Sequence, residues 1–278
     1  MRALLVVNQR SRRGRAAAES IRAELAALGI EAVDSNATAS AAFDCIVSGG
    51  GDGTLTRLIP IALERKVPIG IVPLGTFNDL ARTLGVPADV KAACAIVAAG
   101  RTRAIDVARV NGVYYASEAS IGVSSRIARL QTSVEKQRYG VFAVLATTLQ
   151  AFRHSRPFHV EVGFDGRCER FRTIQLTVAN SHRFGGIFSV ADAAVDDGCL
   201  DLYSVEMDGI VQAFGVARAM LRGRSEDSPG LRAYRSARFS VRTHRPHRIA
   251  ADGEPAGTTP ATFEVLPKAL QVFVPGDA

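Results

Sequence analysis

The chain has 278 residues, 47% of them hydrophobic, with 34 basic against 27 acidic side chains and a formal net charge of +7. That length supports a buried core in one large or two ordinary domains, and Cys45, Cys94, Cys168 and Cys199, widely spaced and without a C-x-x-C pair, exclude a disulfide scaffold and argue against a zinc site; they read as reduced core residues of a cytoplasmic protein. No apolar run approaches a membrane span, and the opening "ALLVV" is too short for a signal-peptide core, so any membrane contact is expected to be peripheral.

In chain order, "ALLVV" is a buried-strand run, and "RAAAESIRAELAALG" sets Ala17, Ile21, Leu25 and Leu28 on one helical face before Gly29 ends it. "DCIVSG" is the next strand, Thr54 to Glu64 a helix, and "VPIGIVPL" a strand; Asn78 to Leu84 and Asp89 to Ala99 are helices, the second stopped by Gly100. Alternating strand and helix argue for a parallel sheet covered by helices. Beyond Gly100 to Asp106 the period changes to two. "AIDVARVNGVYYAS" turns at Asn111-Gly112 and "FHVEVGFDGRCERF" at Asp165-Gly166, both hairpin signals. "TIQLTVAN", "CLDLYSVEM", "ARFSVRT", "HRIAADGE", "TFEVL" and "LQVFV" are further strands, and 140–152 and 210–221 are the helices of this half. The fold expected is an α/β domain over residues 1–105 followed by a mostly antiparallel β domain over 106–278, with the last strand returning to the first domain.

The stretch Val47 to Thr54, "VSGGGDGT", lies at a strand end, where ligands of parallel α/β sheets bind and the next helix offers unpaired N–H groups. Gly49, Gly50, Gly51 and Gly53 are expected to take positive φ and approach an anion closely, and Thr54 to cap the helix. Neither G-x-x-x-x-G-K-[ST] nor G-x-G-x-x-G/A fits this spacing. Asp52 would repel a phosphate unless it handles a cation or a proton, which points to Mg²⁺ or a substrate hydroxyl. About twenty residues on, "PLGTFNDLAR" repeats strand, turn and helix: Gly75 and Thr76 make a second close-approach turn, and Asn78-Asp79 reads as an N-cap pair whose carboxylate can join the site. Downstream, "DDGCLD" gathers Asp196, Asp197 and Asp201 around a glycine, donors of the kind Mg²⁺ or Ca²⁺ prefers, and "ADGEP" sets Asp252 and Glu254 at a strand end.

"GGGDGT" and "PLGTFNDLAR", followed by "VANSHRFGG", "ADAAVDDGCLDL" and "ADGEP", resemble the diacylglycerol-kinase catalytic-domain family, in particular its soluble bacterial lipid kinases. The resemblance covers nearly the whole chain in order, and the combination is far more specific than the first motif, which NAD kinases share. It implies an N-terminal nucleotide-binding α/β domain and a C-terminal β-sandwich with the lipid site. ATP is then expected along Gly50, Gly51, Asp52, Gly53, Thr54, Leu55 and Thr56, with Thr76 nearby. The implied proton acceptor is Glu254, beside Asp252, and the implied structural Mg²⁺ sits at Asp197 with the carbonyls of Ala194 and Cys199. This chain departs from the pattern after the first strand, where Asn8 is kept but Gln9 replaces a proline and Arg12 makes the turn basic. Thr38 is the candidate adenine-side threonine, and Ile187 follows the Gly185-Gly186 pair.

These readings converge on an ATP- and Mg²⁺-dependent kinase of a lipid hydroxyl, with Asp52, Asp252 and Glu254 supplying cation and proton handling. Kinase action on a soluble alcohol such as NAD, and a nucleotide-binding regulator without turnover, are the alternatives. The charge fits either an arginine-rich solvated surface or attraction to an anionic membrane, for which Arg10, Arg12, Arg13 and Arg15, and Arg242, Arg245 and Arg248, are the clusters. No helix-turn-helix, RNA-recognition or zinc-finger pattern accompanies it, so nucleic acid is not an expected partner. Monomer and homodimer both remain open.

Overall fold

The computed structural model describes residues 1–8, 12–34, 42–123, 156–180, 183–184, 188–189, 194–206 and 230–276. The expected helices over 140–152 and 210–221 lie outside these residues, as do Gln9, Arg10, Thr38 and Ile187. The chain forms two compact units, Met1–Val107 with Pro267–Ala278, and Ala108–Leu266.

The first unit contains β1 (Arg2–Val7), α1 (Arg12–Ala27), β2 (Glu31–Asp34), β3 (Cys45–Gly50), α2 (Asp52–Arg65), β4 (Ile69–Pro73), α3 (Asp79–Thr83), α4 (Val90–Ala99) and the start of β5 (Thr102–Val110). Its strands run parallel in the order β2-β1-β3-β4, and Ile69 of β4 also pairs in parallel with Val272 of the chain's last strand. Every residue of β3 and β4 is buried, as in a parallel sheet covered on both faces.

Local chemistry sets the helix ends. Asp89 caps α4 by accepting from the Ala92 N–H at 2.8 Å, and Gly100 closes it at φ 73°. At the end of α1, Gly29 takes φ 73° and the Ile30 and Gly29 N–H groups bond the Leu25 and Ala26 carbonyls. This paired closure turns the chain back, so Ile30 is buried while Leu28, expected on the buried face, is 41% exposed.

The second unit takes the rest of β5, then β6 (Val113–Tyr115), β7 (Glu118–Gly122), β8 (Phe158–Phe164), β9 (Arg167–Thr173), β10 (Gln175–Ala179), β11 (Arg183–Phe184), β12 (Phe188–Ser189), β13 (Leu200–Val205), β14 (Leu231–Ser236), β15 (Arg238–Thr243), β16 (Arg248–Ala251), β17 (Glu254–Thr258) and most of the first half of β18 (Ala261–Phe273). One antiparallel sheet has the order β14-β13-β10-β7-β16-β17; in the other, β18, β15, β8 and β9 are successive antiparallel neighbours. Alternate residues of both, among them Ile121, Leu176 and Leu202 from one and Val162, Phe239 and Phe263 from the other, share one core. This is a β-sandwich. Asn111-Gly112 and Asp165-Gly166 all take positive φ and make the hairpins expected of them.

Three expectations need correction. "TFEVL" and "LQVFV" are one strand, because β18 runs through Pro267 and Lys268, where a left-handed φ of 51° and a 2.7 Å bond from the Lys268 N–H to buried Asp106 let it continue. The sequence reading has neither β2, which precedes "DCIVSG", nor β14: both are edge strands, β2 only four residues long and β14 with Arg232 and Arg235 breaking the apolar alternation. Of the four cysteines, all free, Cys45 and Cys94 are buried, but Cys168 is exposed on β9 and Cys199 half-buried in a turn.

Candidate active site

In the first unit, β3 and β4 end side by side, and the turns that follow them pack together. The Leu74 N–H bonds the Gly50 carbonyl at 2.9 Å, linking the two turns through their backbones. A Cβ on Gly75 would lie 2.5 Å from the Gly51 Cα, and one on Gly50 would lie 2.4 Å from the Thr54 hydroxyl oxygen. None of Gly49, Gly50, Gly51, Gly53 or Gly75 has positive φ. Gly49, Gly50, Gly51 and Gly75 therefore provide room rather than a left-handed backbone, contrary to the expectation from sequence.

Helix α2 starts two residues earlier than expected, at Asp52, with extended Gly51 (φ −100°) as N-cap and no side-chain cap. Thr54 is thus inside the first turn, its side chain against Gly50. Thr54, Leu55 and Thr56 are all buried; the Thr56 hydroxyl donates to the Asp52 carbonyl, and the Thr54 and Leu55 N–H groups bond the Gly51 carbonyl at 2.9 and 3.3 Å. The backbone N–H of Asn8, at the end of β1, bonds the Gly49 carbonyl at 2.9 Å.

The Asp52 carboxylate reaches the second turn, where Oδ1 accepts from the Leu80 N–H at 3.4 Å, so it sits at the start of α3. Burial pushes its pKa above the usual carboxylate range, while backbone N–H groups, Asp79 foremost, act against that shift. Asn78 holds the N-cap position of α3, but its side chain makes no cap bond. It takes φ 52°, and its side-chain amide folds back, accepting from the Gly75 N–H and donating to the Gly75 carbonyl, both at 2.9 Å. Asp79 is buried, 5% exposed, whereas Gly75 and Thr76 are exposed. Gly50, Gly51, Asp52, Gly75, Asn78 and Asp79 thus belong to one constellation.

In the second unit, Asp252 (φ 46°) and Gly253 (φ 83°) form the two-residue turn from β16 to β17. The Asp252 carboxylate accepts from three successive backbone N–H groups: Ala116 at 2.8 Å, Ser117 at 3.1 Å and Glu118 at 2.9 Å. Its own N–H donates to the Glu118 carbonyl at 2.8 Å. With its oxygens so engaged it holds the 116–118 segment in place. Glu254, at the head of β17, is exposed. Asn180 supports the same segment, its amide donating to the Ala116 carbonyl at 3.1 Å and its N–H to that of Ser117 at 2.8 Å. It was legible only as part of "VANSHRFGG".

The Asp197 turn also turns inward on itself. Oδ1 accepts from the Cys199 N–H at 2.9 Å, Oδ2 from the Ala194 N–H at 3.0 Å, and the Arg235 guanidinium of β14 donates to Oδ2 as well. A divalent cation at this carboxylate has to compete with that guanidinium, a partner that strand register alone supplies, since Arg235 lies opposite Asp201. Burial raises the Asp201 pKa to about 6, with Arg235 opposing and Asp197 adding to the shift. Among the described residues no group of three or more His, Cys, Asp or Glu is arranged to hold a metal ion.

Comparison with known proteins matches residues 2–110 to the diacylglycerol kinase catalytic domain and residues 117–274 to the YegS C-terminal NAD kinase beta sandwich-like domain. A diacylglycerol kinase of Bacillus subtilis is 29% identical over 237 residues, 84% of this chain and 78% of that protein. An uncharacterized protein of Synechocystis is 27% identical over 237 residues, 83% of this chain but 54% of its own length. Among solved structures, a Bacillus anthracis protein provisionally named a diacylglycerol kinase superposes with a TM-score of 0.80 at 25% identity, covering 99% of this chain and 95% of that one.

Proposed function

Since the chain belongs to the diacylglycerol kinase catalytic-domain family, with a YegS-type sandwich as its second half, we propose that it is a kinase transferring the γ-phosphoryl group of ATP to a lipid hydroxyl at a membrane surface. The observation that carries this reading is the pair of glycine turns, whose backbones touch where any Cβ would intrude and whose N–H groups start two helices.

In this reading the glycine turn from Gly50 to Gly53, with Thr54, Leu55 and Thr56 packed behind it, and the exposed turn at Gly75 and Thr76 hold the ATP phosphates, with Asn8 and Asn78 shaping the rim. Asp52, partly withdrawn from water, takes the cation or proton; a divalent ion bound with ATP would supply charge neutralisation during transfer. Glu254, exposed at a strand start, accepts the proton of the attacking hydroxyl, and Asp252 keeps the turn that presents it rigid. At the Asp197 turn the proposed Mg²⁺, with Ala194 and Cys199, has to displace Arg235, so its binding there is weak in the unaltered chain. No described helix is long and apolar enough to cross a membrane, and basic side chains such as Arg245 and Arg248 are proposed to hold the enzyme at an anionic surface.

The decisive experiment incubates the protein with labelled ATP, Mg²⁺ and a total lipid extract and separates the products. A labelled lipid supports the reading; label appearing only in NAD or another soluble alcohol would replace it with the second reading, which the NAD-kinase-like character of the sandwich favours.

A further inference from the structure

A groove of about 480 Å³ crosses the outer face of β8, β9 and β15 in the second unit. Its floor is strand backbone at Val160, Phe171 and Thr243; Val160 and Phe171 turn their side chains into the sandwich core. The side chains that rise around it follow from register. Glu161 lies opposite Arg170 on one side and Arg242 on the other, and His159 lies opposite Arg172. Directly paired residues of neighbouring strands have Cβ atoms about 5 Å apart, so these heads converge over the groove, with His244 at its end.

The charges do not balance. Arg170 donates to Glu161 at 2.8 Å, which uses the groove's one carboxylate. Arg172 and Arg242, both exposed, have no ion-pair partner among the described residues. Two guanidinium forks and two imidazoles therefore face one open volume, and each of these groups has an N–H to donate.

We propose that this groove binds a phosphate-bearing anion, held by Arg172 and Arg242 with His159 and His244 as further donors. Guanidinium forks match phosphate oxygens two at a time, and the volume suits a group of head-group size. Nucleic acid is disfavoured because Phe171, the groove's one ring besides the imidazoles, is 8% exposed and offers bases no platform. The shared chemistry is a phosphomonoester, free or on a lipid. It is also the class of product the proposed kinase reaction makes; that link rests on the kinase reading, but the binding itself does not.

The test uses the full chain and two sets of probes: inorganic phosphate and glycerol 3-phosphate by calorimetry, and neutral phosphatidylcholine vesicles with and without phosphatidic acid by sedimentation. The expected result is binding to at least one phosphate probe that falls about 10- to 100-fold in Arg172→Gln/Arg242→Gln. It should be kept in part in Arg172→Lys/Arg242→Lys, which preserves the charge but not the fork, and in full in Lys66→Gln/Lys91→Gln, which removes equal charge from exposed sites of the first unit. Binding to phosphatidic acid vesicles alone assigns a lipid source, and binding to glycerol 3-phosphate as well assigns the free anion. No binding by the unaltered chain, or equal loss in the Lys66/Lys91 control, overturns the proposal. A chain that binds a probe through this pair yet phosphorylates no lipid keeps the groove and removes the kinase reading.

Discussion

The turn at Asp52 and the turn at Asp252 look alike in sequence, each an aspartate beside a glycine at the edge of a strand, yet the residues work differently. In the first, the glycines have ordinary φ and are required because two backbones meet with no room for a side chain. In the second, Gly253 has φ 83° and open space around its Cβ position, so it is required for conformation alone. The carboxylates divide too. Asp252 bridges three successive backbone N–H groups of another segment, whereas Asp52 accepts from backbone N–H groups at the start of α3 and burial still raises its pKa. A carboxylate that pins a neighbouring segment holds structure; a desolvated one whose pKa is raised is the better placed for chemistry.

The largest effect that sharpens this contrast is expected at Gly75. Gly75→Val forces atoms into the Gly51 backbone and the Asn78 amide, so ATP binding measured by calorimetry should vanish, with about 1–3 kcal/mol of stability lost. Gly253→Ala meets nothing and should cost about 1–2 kcal/mol through its positive φ, leaving ATP binding unchanged. Equal losses of ATP affinity in the two variants would break the comparison.

Next in size is the separation of Asp252 from Glu254. Glu254→Gln should lower kcat about 10²- to 10⁴-fold without moving the Tm. Asp252→Ala, which orphans three backbone donors, should lower stability by about 2–4 kcal/mol in denaturant titration and lose activity in proportion to unfolding. A fully folded Asp252→Ala protein with no turnover would return Asp252 to the chemistry.

Asp52→Asn is expected to leave the Tm unchanged or raised, because the buried group is penalised when charged, while cutting kcat on the order of 100-fold. Because its pKa is raised, activity that needs the carboxylate should fall on acidification at a pH above the ordinary carboxylate range near 4. A profile of kcat against pH identical to that of Asp52→Asn would remove the role.

The smallest effects lie at the Asp197 turn. With Arg235 in place, chelation should barely move the Tm, whereas in Arg235→Gln added Mg²⁺ should raise it. Asp201, with a pKa of about 6 folded against an ordinary value near 4, binds its proton in the folded state first. Stability therefore falls as pH rises from about 4 through 6, and acidification from pH 7 to 5 should raise the Tm by a few degrees relative to Asp201→Asn. A large chelation effect in the unaltered chain would place the metal at the turn despite Arg235.

What is local was legible in the sequence. Periodicity placed the helices of the first unit and most of the described strands, Asn111-Gly112 and Asp165-Gly166 announced their hairpins, and Asp89 and Gly100 bounded α4, because hydrophobic spacing, capping and turn conformation depend on residues a few positions apart. The motifs around Asp52, Gly75, Asp197 and Glu254 were legible for the same reason. What joins them was not. The Gly51 to Gly75 contact, the hold of Asp252 on residues 116–118, the engagement of Asp197 by Arg235 and the basic groove of Arg172 and Arg242 all bring together residues from separate strands or turns. Such pairs are set by which strands and turns are neighbours and in what register, and register is a property of the packed sheet: a shift of one residue would turn Arg235, Arg172 and Arg242 to the opposite face.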